Sequence, residues 1–296
     1  MPLPRRTLLF GGLAVALAGC GGSPAATPPS STSPATVPDA DLAALEQKFG
    51  GRLGFYALDT GSGRSVAYRT DERFLMCSTH KVLVAGAILR LRQQQSGLLD
   101  RVIPYDKSTV LSYAPITSQH TSMKVSELCE AALKVSDNTA DNLLIELLKG
   151  PQAVTAFARD LGDNVTRLDR IEPQLNDGAP GDERDTTTPP VFASDLYALV
   201  AGEGLDSAGR ELLVNWMKAS TTGLDLVRAG VPKDWATADK SGSGSKGEVN
   251  DVAVVWPPNH APLVITAYTA PKDPKSTTGR KLIADATAVA VKKLVS

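Results

Sequence analysis

The order in which hydrophobic periodicities follow one another restricts this chain more than any single residue does. A helix pattern over Asp39 to Phe49, with Leu42, Leu45 and Phe49 on one face, starts behind Pro38-Asp39 and stops at Gly50-Gly51. "RLGFYALDTGSGRSVAYR" then alternates around a Gly-Ser-Gly turn and reads as a hairpin. From Ser78 to about Ser220 no convincing strand appears; "KVLVAGAILRLRQQQ", "VSELCEAALKV", "ADNLLIELL", "PQAVTAFARDL" and "SDLYALVAGE" all repeat with helical spacing, several ended by glycine. Strand patterns return in "WATADKSGS", "NDVAVVWPP" and "APLVITAYTA", and "GRKLIADATAVAVKKLVS" closes the chain as an amphipathic helix. Two strands from one end and three from the other predict an α/β fold with one antiparallel five-stranded sheet flanked by helices. An all-helical domain is inserted in it. The expected boundaries are 39–70 and 221–296 for the α/β domain and 71–220 for the helical one, which includes a Pro-, Gly- and Asp-rich loop over 167–185.

The N-terminus says where such a chain goes. "MPLPRRTLLFGGLAVALAGC" has a basic start, an apolar run too short for an ordinary spanning helix, and small residues before Cys20, the pattern of an export signal over 1–19. Arg5-Arg6 fits twin-arginine export, and Leu17-Ala18-Gly19-Cys20 resembles a bacterial lipobox that would leave Cys20 lipidated; a plain signal cut elsewhere is the other reading. Residues 20–38 lack apolar bulk and are crowded with Pro, Ser, Thr and Gly, as expected of a disordered tether. The expected location is the cell envelope, as a lipoprotein, or outside the cell.

Charge narrows the partners. Lys plus Arg number 31 against 32 Asp plus Glu, and no basic cluster is interleaved with aromatics, which argues against nucleic acid. His80, His120 and His260 are scattered without metal-ligand spacing, so no metal is expected. No cofactor fingerprint survives either. Gly242-Ser243-Gly244-Ser245-Lys246-Gly247 spells the dinucleotide motif, but a strand follows it where a phosphate-binding helix is required. With no long apolar patch or heptad, a monomer is expected.

Ser78-Thr79-His80-Lys81 places a hydroxyl and an amine one turn apart at a helix start. Serine is a poor nucleophile until something takes its proton, and a lysine can do so where an apolar setting lowers its pKa. The helix start adds free N–H groups and a positive dipole end for a developing oxyanion. Alone the motif is weak: Ser243 to Lys246 has the same spacing, chance supplies about one match in a chain this long, and Ser78 could be a simple helix cap. Three further pieces lie at sensible intervals. Ser136-Asp137-Asn138 falls between two helices, Glu172 and Asn176 lie in "RIEPQLN", and Lys240-Ser241-Gly242 lies on a strand where the glycine permits close approach.

In this order the four motifs resemble those of the class A serine β-lactamases, and the resemblance runs from about Asp39 to the C-terminus. It implies the serine β-lactamase/DD-peptidase fold, with the active site between the two domains. The implied function is hydrolysis of β-lactam antibiotics through a serine acyl-enzyme, giving antibiotic resistance. By resemblance Ser78 would attack the lactam carbonyl, and the N–H groups of Ser78 and Ser243 would hold the oxyanion. Ser136 would pass a proton to the leaving nitrogen between Lys81 and Lys240, and Glu172, steadied by Asn176, would activate the hydrolytic water. Either Lys81 or Glu172 would take the proton of Ser78. Asn138 would bind the substrate amide, Tyr113 would line the rim, Gly242 would let the substrate approach the strand, and Arg280 with Lys240 and Ser241 would receive the substrate carboxylate; Arg228 is the rival cation. "RLDRIEPQLNDGAPGDERDTTTP" is similar to the family's Ω-shaped loop, which implies an Arg170–Asp185 pair and a cis Glu172-Pro173 bond. Ser243 and Arg280 are similar to the cefotaximase subgroup, which implies oxyimino-cephalosporin turnover.

Two residues depart from the family's pattern. His80 stands where an uncharged residue is common, and a charge there would oppose Lys81, so a neutral, packed imidazole is expected. Cys77 precedes the nucleophile directly, while Ala85 occupies the position that pairs with Cys129 in related enzymes; two free thiols are implied. The alternatives to a hydrolase are a penicillin-binding DD-peptidase and a non-catalytic β-lactam-binding lipoprotein. Glu172 in its full loop argues against both.

Overall fold

The structure is a computed structural model that describes residues 39–179 and 181–295. The expected export signal, Cys20 and the tether lie outside the described residues. Helix α1 (Ala40–Phe49) is capped by the Asp39 carboxylate, which accepts from the N–H groups of Asp41 and Leu42, and it ends on Gly50 in a left-handed conformation (φ 73°). β1 (Gly51–Asp59) and β2 (Ser65–Tyr68) form the hairpin. After β3 (Phe74–Leu75) come α2 (Lys81–Leu91), β4 (Val102–Pro104), β5 (Ser122–Lys124), α3 (Val125–Lys134), α4 (Asn138–Leu147), α5 (Pro151–Asp160), β6 (Thr186–Thr187), α6 (Pro189–Val200) and α7 (Ser207–Lys218). β7 (Ala236–Ser243), β8 (Val249–Trp256), β9 (Leu263–Pro271) and α8 (Gly279–Leu294) complete the chain.

The main sheet has five strands in the order β2-β1-β9-β8-β7, each pair antiparallel. β9 joins the two ends of the sequence by pairing with β1 from Gly51↔Pro271 to Asp59↔Leu263. Two small ladders, β3 with β6 and β4 with β5, were not legible as strands. Two or three residues are too few for alternation to stand out.

Both faces of the sheet are covered. Leu53, Phe55 and Ala57 of β1 pack with Ile265 and Ala267 of β9 and with Ile283 and Ala286 of α8. On the other face Val252, Val254, Val264 and Tyr268 join one core with Phe192 and Leu196 of α6 and the rest of the helical insertion. The insertion therefore shares its hydrophobic interior with the sheet. Gly54 makes the join possible on β1, because a Cβ there would lie 2.4 Å from the Phe74 ring.

α2 is the axis of the helical part. Every residue from Lys81 to Leu89 is buried, as its all-round apolar sequence requires, and it packs against α3, α4, α5, α6 and α7. A helix so enclosed fixes whatever precedes it, which here is the turn carrying Ser78. Cys77 and Cys129 are both buried free thiols, as the pairing position at Ala85 implied. Burial pushes both thiols above the ordinary cysteine range.

Candidate active site

Residues Cys77–His80 form a short 3₁₀ turn that runs straight into α2, so Ser78 lies just ahead of the α-helix. Cys77 is held at φ 46°, a left-handed conformation that a residue with a Cβ adopts only under constraint. The constraint is visible on both sides. The N–H of Met76 donates to Asp185 O at 2.9 Å, and Asn250 Nδ2 donates to Leu75 O and Met76 O at 2.8 and 3.1 Å. Gly242 of β7 passes so close that a Cβ would meet Met76 O, Cys77 Cβ and Ser78 N at 3.0–3.1 Å, which accounts for the glycine.

Ser78 Oγ lies 3.1 Å from Lys81 Nζ and 3.2 Å from Glu172 Oε1. Lys81 is wholly buried, and Nζ also reaches Asn138 Oδ1 at 2.6 Å, Ser136 O at 3.0 Å, Ser136 Oγ at 3.3 Å and Glu172 Oε1 at 3.2 Å. Three stretches far apart in sequence thus meet on one ammonium group. Each is held locally. Ser136 has φ 61°, and Asp137 caps α4 through Ala140 N while accepting from the N–H groups of Ile116 and Thr117, which fixes the strap bearing Tyr113. Asn138 N donates to Tyr113 O at 3.0 Å.

Glu172 is buried and precedes a cis bond to Pro173. Asn142 of α4 clamps it with two bonds, Nδ2 to Glu172 O at 2.9 Å and Glu172 N to Oδ1 at 3.0 Å, and Asn176 Nδ2 donates to Oε2 at 2.6 Å. The loop closes where Arg170 Nε meets Asp185 Oδ2 at 2.5 Å, with Asp185 also accepting from the N–H groups of Asp169 and Arg170. Ser245, in the turn between β7 and β8, adds a tie to Asn176 O at 3.1 Å. The GxGxxG stretch is thus the expected hairpin turn, and Lys246 of the second Ser-x-x-Lys match bonds to Gly178 O.

Lys240 enters from β7, fully buried, and donates to Ser136 Oγ at 3.0 Å and Ser241 O at 2.6 Å. Burial, helped by the charge of Lys81, pulls its pKa down to about 7 against the opposing pull of Asp239, Asp251 and Glu172. Above these groups opens a cavity of about 460 Å³ lined by Ser78, Ser136, Asn138 and Asn176 on one side and by Ser241, Gly242, Ser243 and Arg280 on the other, with exposed Tyr113 at the rim. A larger cavity of about 810 Å³ lies behind Glu172 and contains neither Ser78 nor either lysine.

Arg280 lies in the first turn of α8 and faces the cavity, but its guanidinium is already paired with Asp225 and donates to Thr222 O at 3.0 Å. Arg228 is not on the cavity wall; it pairs with Asp239 and donates to Lys218 O at 3.0 Å. Thr222, which the motif reading missed, lines the cavity and accepts from Ser241 Oγ at 2.7 Å. Its only signal was the Ser-Thr-Thr-Gly turn ahead of the returning strands. Asn142 was missed too, one helical turn beyond Asn138 and on the same face.

His80 is packed in the core as expected, but a buried carboxylate faces it, which argues against a neutral imidazole. Its Nδ1 lies 2.7 Å from Cys77 O and its Nε2 2.7 Å from Asp141 Oδ2, both inside the core. Burial pulls the imidazole down, but the charge and hydrogen bond of Asp141 outweigh it and hold His80 above the usual histidine range. Asp141 was invisible as a partner because it is distant in sequence. His80, Asp141 and Glu172 also bring one possible metal-ligating atom each within 4.8 Å of the others. Two ligands of a tetrahedral zinc stand about 3.3 Å apart, whereas His80 and Asp141 are in direct hydrogen-bond contact at 2.7 Å, which suits a proton between them.

A model of the β-lactamase enzyme family matches residues 38–294. The chain belongs to that family. The enzyme is 48% identical to β-lactamase FAR-1 of Nocardia farcinica, over 98% of this chain and 96% of that one. It is also 48% identical to β-lactamase CTX-M-97 of Escherichia coli, over 83% of this chain and 85% of that one. A solved class A β-lactamase from Mycobacterium abscessus superposes with a TM-score of 0.85 at 54% identity, covering 86% of this chain and 98% of the other.

The low pKa of Lys240 has a measurable consequence. Its positive charge is present below about pH 7 and fades above it in the free enzyme. kcat/KM for an anionic β-lactam should fall with an alkaline limb there, and Lys240→Arg, whose guanidinium stays charged, should move that limb up by more than about one pH unit. Matched pH profiles check this; coincident limbs in the two enzymes would contradict it.

Proposed function

We propose that Ser78 is the nucleophile with which this enzyme hydrolyses β-lactam antibiotics and so confers resistance, and that Glu172 is the base that releases the acyl group. The observation that carries this reading is the single buried contact set in which Ser78 Oγ, Lys81 Nζ and Glu172 Oε1 all lie within 3.2 Å of one another. Ser78 Oγ adds to the lactam carbonyl carbon and its proton passes to Glu172 or Lys81, both in reach. Negative charge on the carbonyl oxygen is held by the N–H groups of Ser78 and Ser243, a stabilisation of about 3 kcal/mol per donor in comparable hydrolases. The C–N bond breaks and the nitrogen takes the proton of Ser136; the proton taken from Ser78 is relayed through Lys81 to restore Ser136, which leaves Glu172 a carboxylate and both lysines as they began. Water deprotonated by Glu172 then attacks the ester, and Ser78 leaves with its proton returned.

Asn138 and Asn176 serve the substrate amide and the position of Glu172, while Lys240, Ser241 and Thr222 receive the substrate carboxylate with Arg280 beside them. The pairing of Arg280 with Asp225 favours a supporting field over direct contact. A DD-peptidase or a β-lactam-binding lipoprotein would have no use for a glutamate clamped by two asparagines against its nucleophile. Glu172→Ala should convert steady turnover of a chromogenic cephalosporin into a stoichiometric burst, because deacylation alone loses its base. Unchanged turnover would remove Glu172 from this role.

The reading extends to substrate and place. Ser243 and Arg280 on the cavity wall support oxyimino-cephalosporins as substrates. Cefotaxime hydrolysis should exceed background in steady-state kinetics; a rate equal to background would dismiss the assignment. The signal pattern over 1–19 supports export, with lipid on Cys20, residues 20–38 as tether and a monomeric catalytic body. Cys20→Ser should move activity from the membrane fraction to the soluble fraction as a monomer by sedimentation.

A further inference from the structure

His80 and Asp141 are both fully buried, where apolar side chains would fill the space without needing partners. Their hydrogen bonds count their protons. A carbonyl oxygen only accepts, so His80 Nδ1 donates its proton to Cys77 O at 2.7 Å. The 2.7 Å contact between Nε2 and Asp141 Oδ2 then requires a second proton. Placed on His80, whose imidazole Asp141 holds above its usual range against the pull of burial, that proton makes the pair an imidazolium against a carboxylate. The groups facing it are Lys81 on α2, Glu172 on the loop and the thiol of Cys129 on α3; Glu172 adds to the hold on the proton and Lys81 works against it.

The acceptor of that charge is not an ordinary carbonyl. Cys77 O and Ser78 N belong to one peptide plane, with the C=O and the N–H pointing in opposite directions. Electron density drawn to the oxygen by a cationic donor leaves the N–H a stronger donor on the far side. The same bond helps hold Cys77 at φ 46°. We propose that Asp141 and His80 form a relay that orients and polarises the Cys77–Ser78 peptide, making Ser78 N–H a stronger donor to the oxyanion. The relay rests on the assignment of that N–H to the oxyanion site. His80 and Asp141 are then positioning residues, acting through the peptide on a substrate they never touch.

The carbonyl stretch of the acyl-enzyme reads the donor directly. In Glu172→Ala enzyme acylated by a β-lactam carrying ¹³C at its lactam carbonyl, difference infrared spectra should show an ester band lowered relative to the same acyl-protein after denaturation. Adding Asp141→Asn keeps both hydrogen bonds, with the amide donating to a neutral Nε2, but removes the charge; the band should rise. His80→Phe removes the bond and should raise it further. In the Glu172-containing enzyme each change should lower the acylation kcat/KM by about tenfold or more while the alkaline limb of Lys240 stays in place. A band that does not move in Asp141→Asn overturns the relay, even if activity falls. A band that is not lowered before either substitution is made overturns the oxyanion assignment instead. ¹⁵N spectra of the unsubstituted enzyme need no folded variant: both His80 ring nitrogens should carry protons at about pH 7, and a bare Nε2 would overturn the relay.

Discussion

A wholly buried ammonium group organises this molecule. Lys81 cannot leave its charge unpaired in the core, so the chain must bring oxygens to it, and they come from Ser78, Ser136, Asn138 and Glu172. Four groups from three segments are thereby held at hydrogen-bond distance around one point. The same requirement that makes the charge tolerable assembles the reactive centre. The three N–H donors of Lys81 have five oxygens in reach, and those oxygens belong to the groups that react, so stability and chemistry draw on the same contacts.

The surrounding fold makes these contacts rigid. α2 is enclosed on all sides and cannot shift without opening the helical core, and Gly242 presses β7 against the turn that precedes it. Asp137 and Asn142 tie α4 to the strap on one side and to the loop on the other. The loop is carried by side-chain clamps and the Arg170–Asp185 pair, with almost no regular structure of its own. Lys240, pressed into the same small volume as Lys81, holds its proton less tightly, first because it is buried and further because a second ammonium group shares the same hydroxyl.

Much of this was legible because it is local. The hairpin, the enclosed helix, the returning strands and the Ser78–Lys81 spacing all follow from periodicity and from residues within one turn of each other. Lys240, Ser136 and Glu172 were legible only as an ordered set of motifs, since no spacing rule joins residues so far apart. His80 was read without its partner for the same reason, and Asp141 carried no signal of its own. A histidine beside a lysine argues for neutrality until the carboxylate from another helix is seen. Arg280 faces the cavity as the motif reading required, but its partner Asp225 lies 55 residues earlier in sequence and carries no motif. Thr222 and Asn142 are ordinary polar residues whose importance comes only from what folds against them.

The ladder between β1 and β9 sets a timetable for the nascent chain. The first hairpin leaves the ribosome long before its principal neighbour, which lies more than two hundred residues downstream in the register Gly51↔Pro271. Until β9 emerges, β1 exposes a bare edge and the helical insertion has no sheet to lie on. Synthesis must be almost complete before the molecule can close, so an interrupted chain has no smaller version of this structure to fall back on.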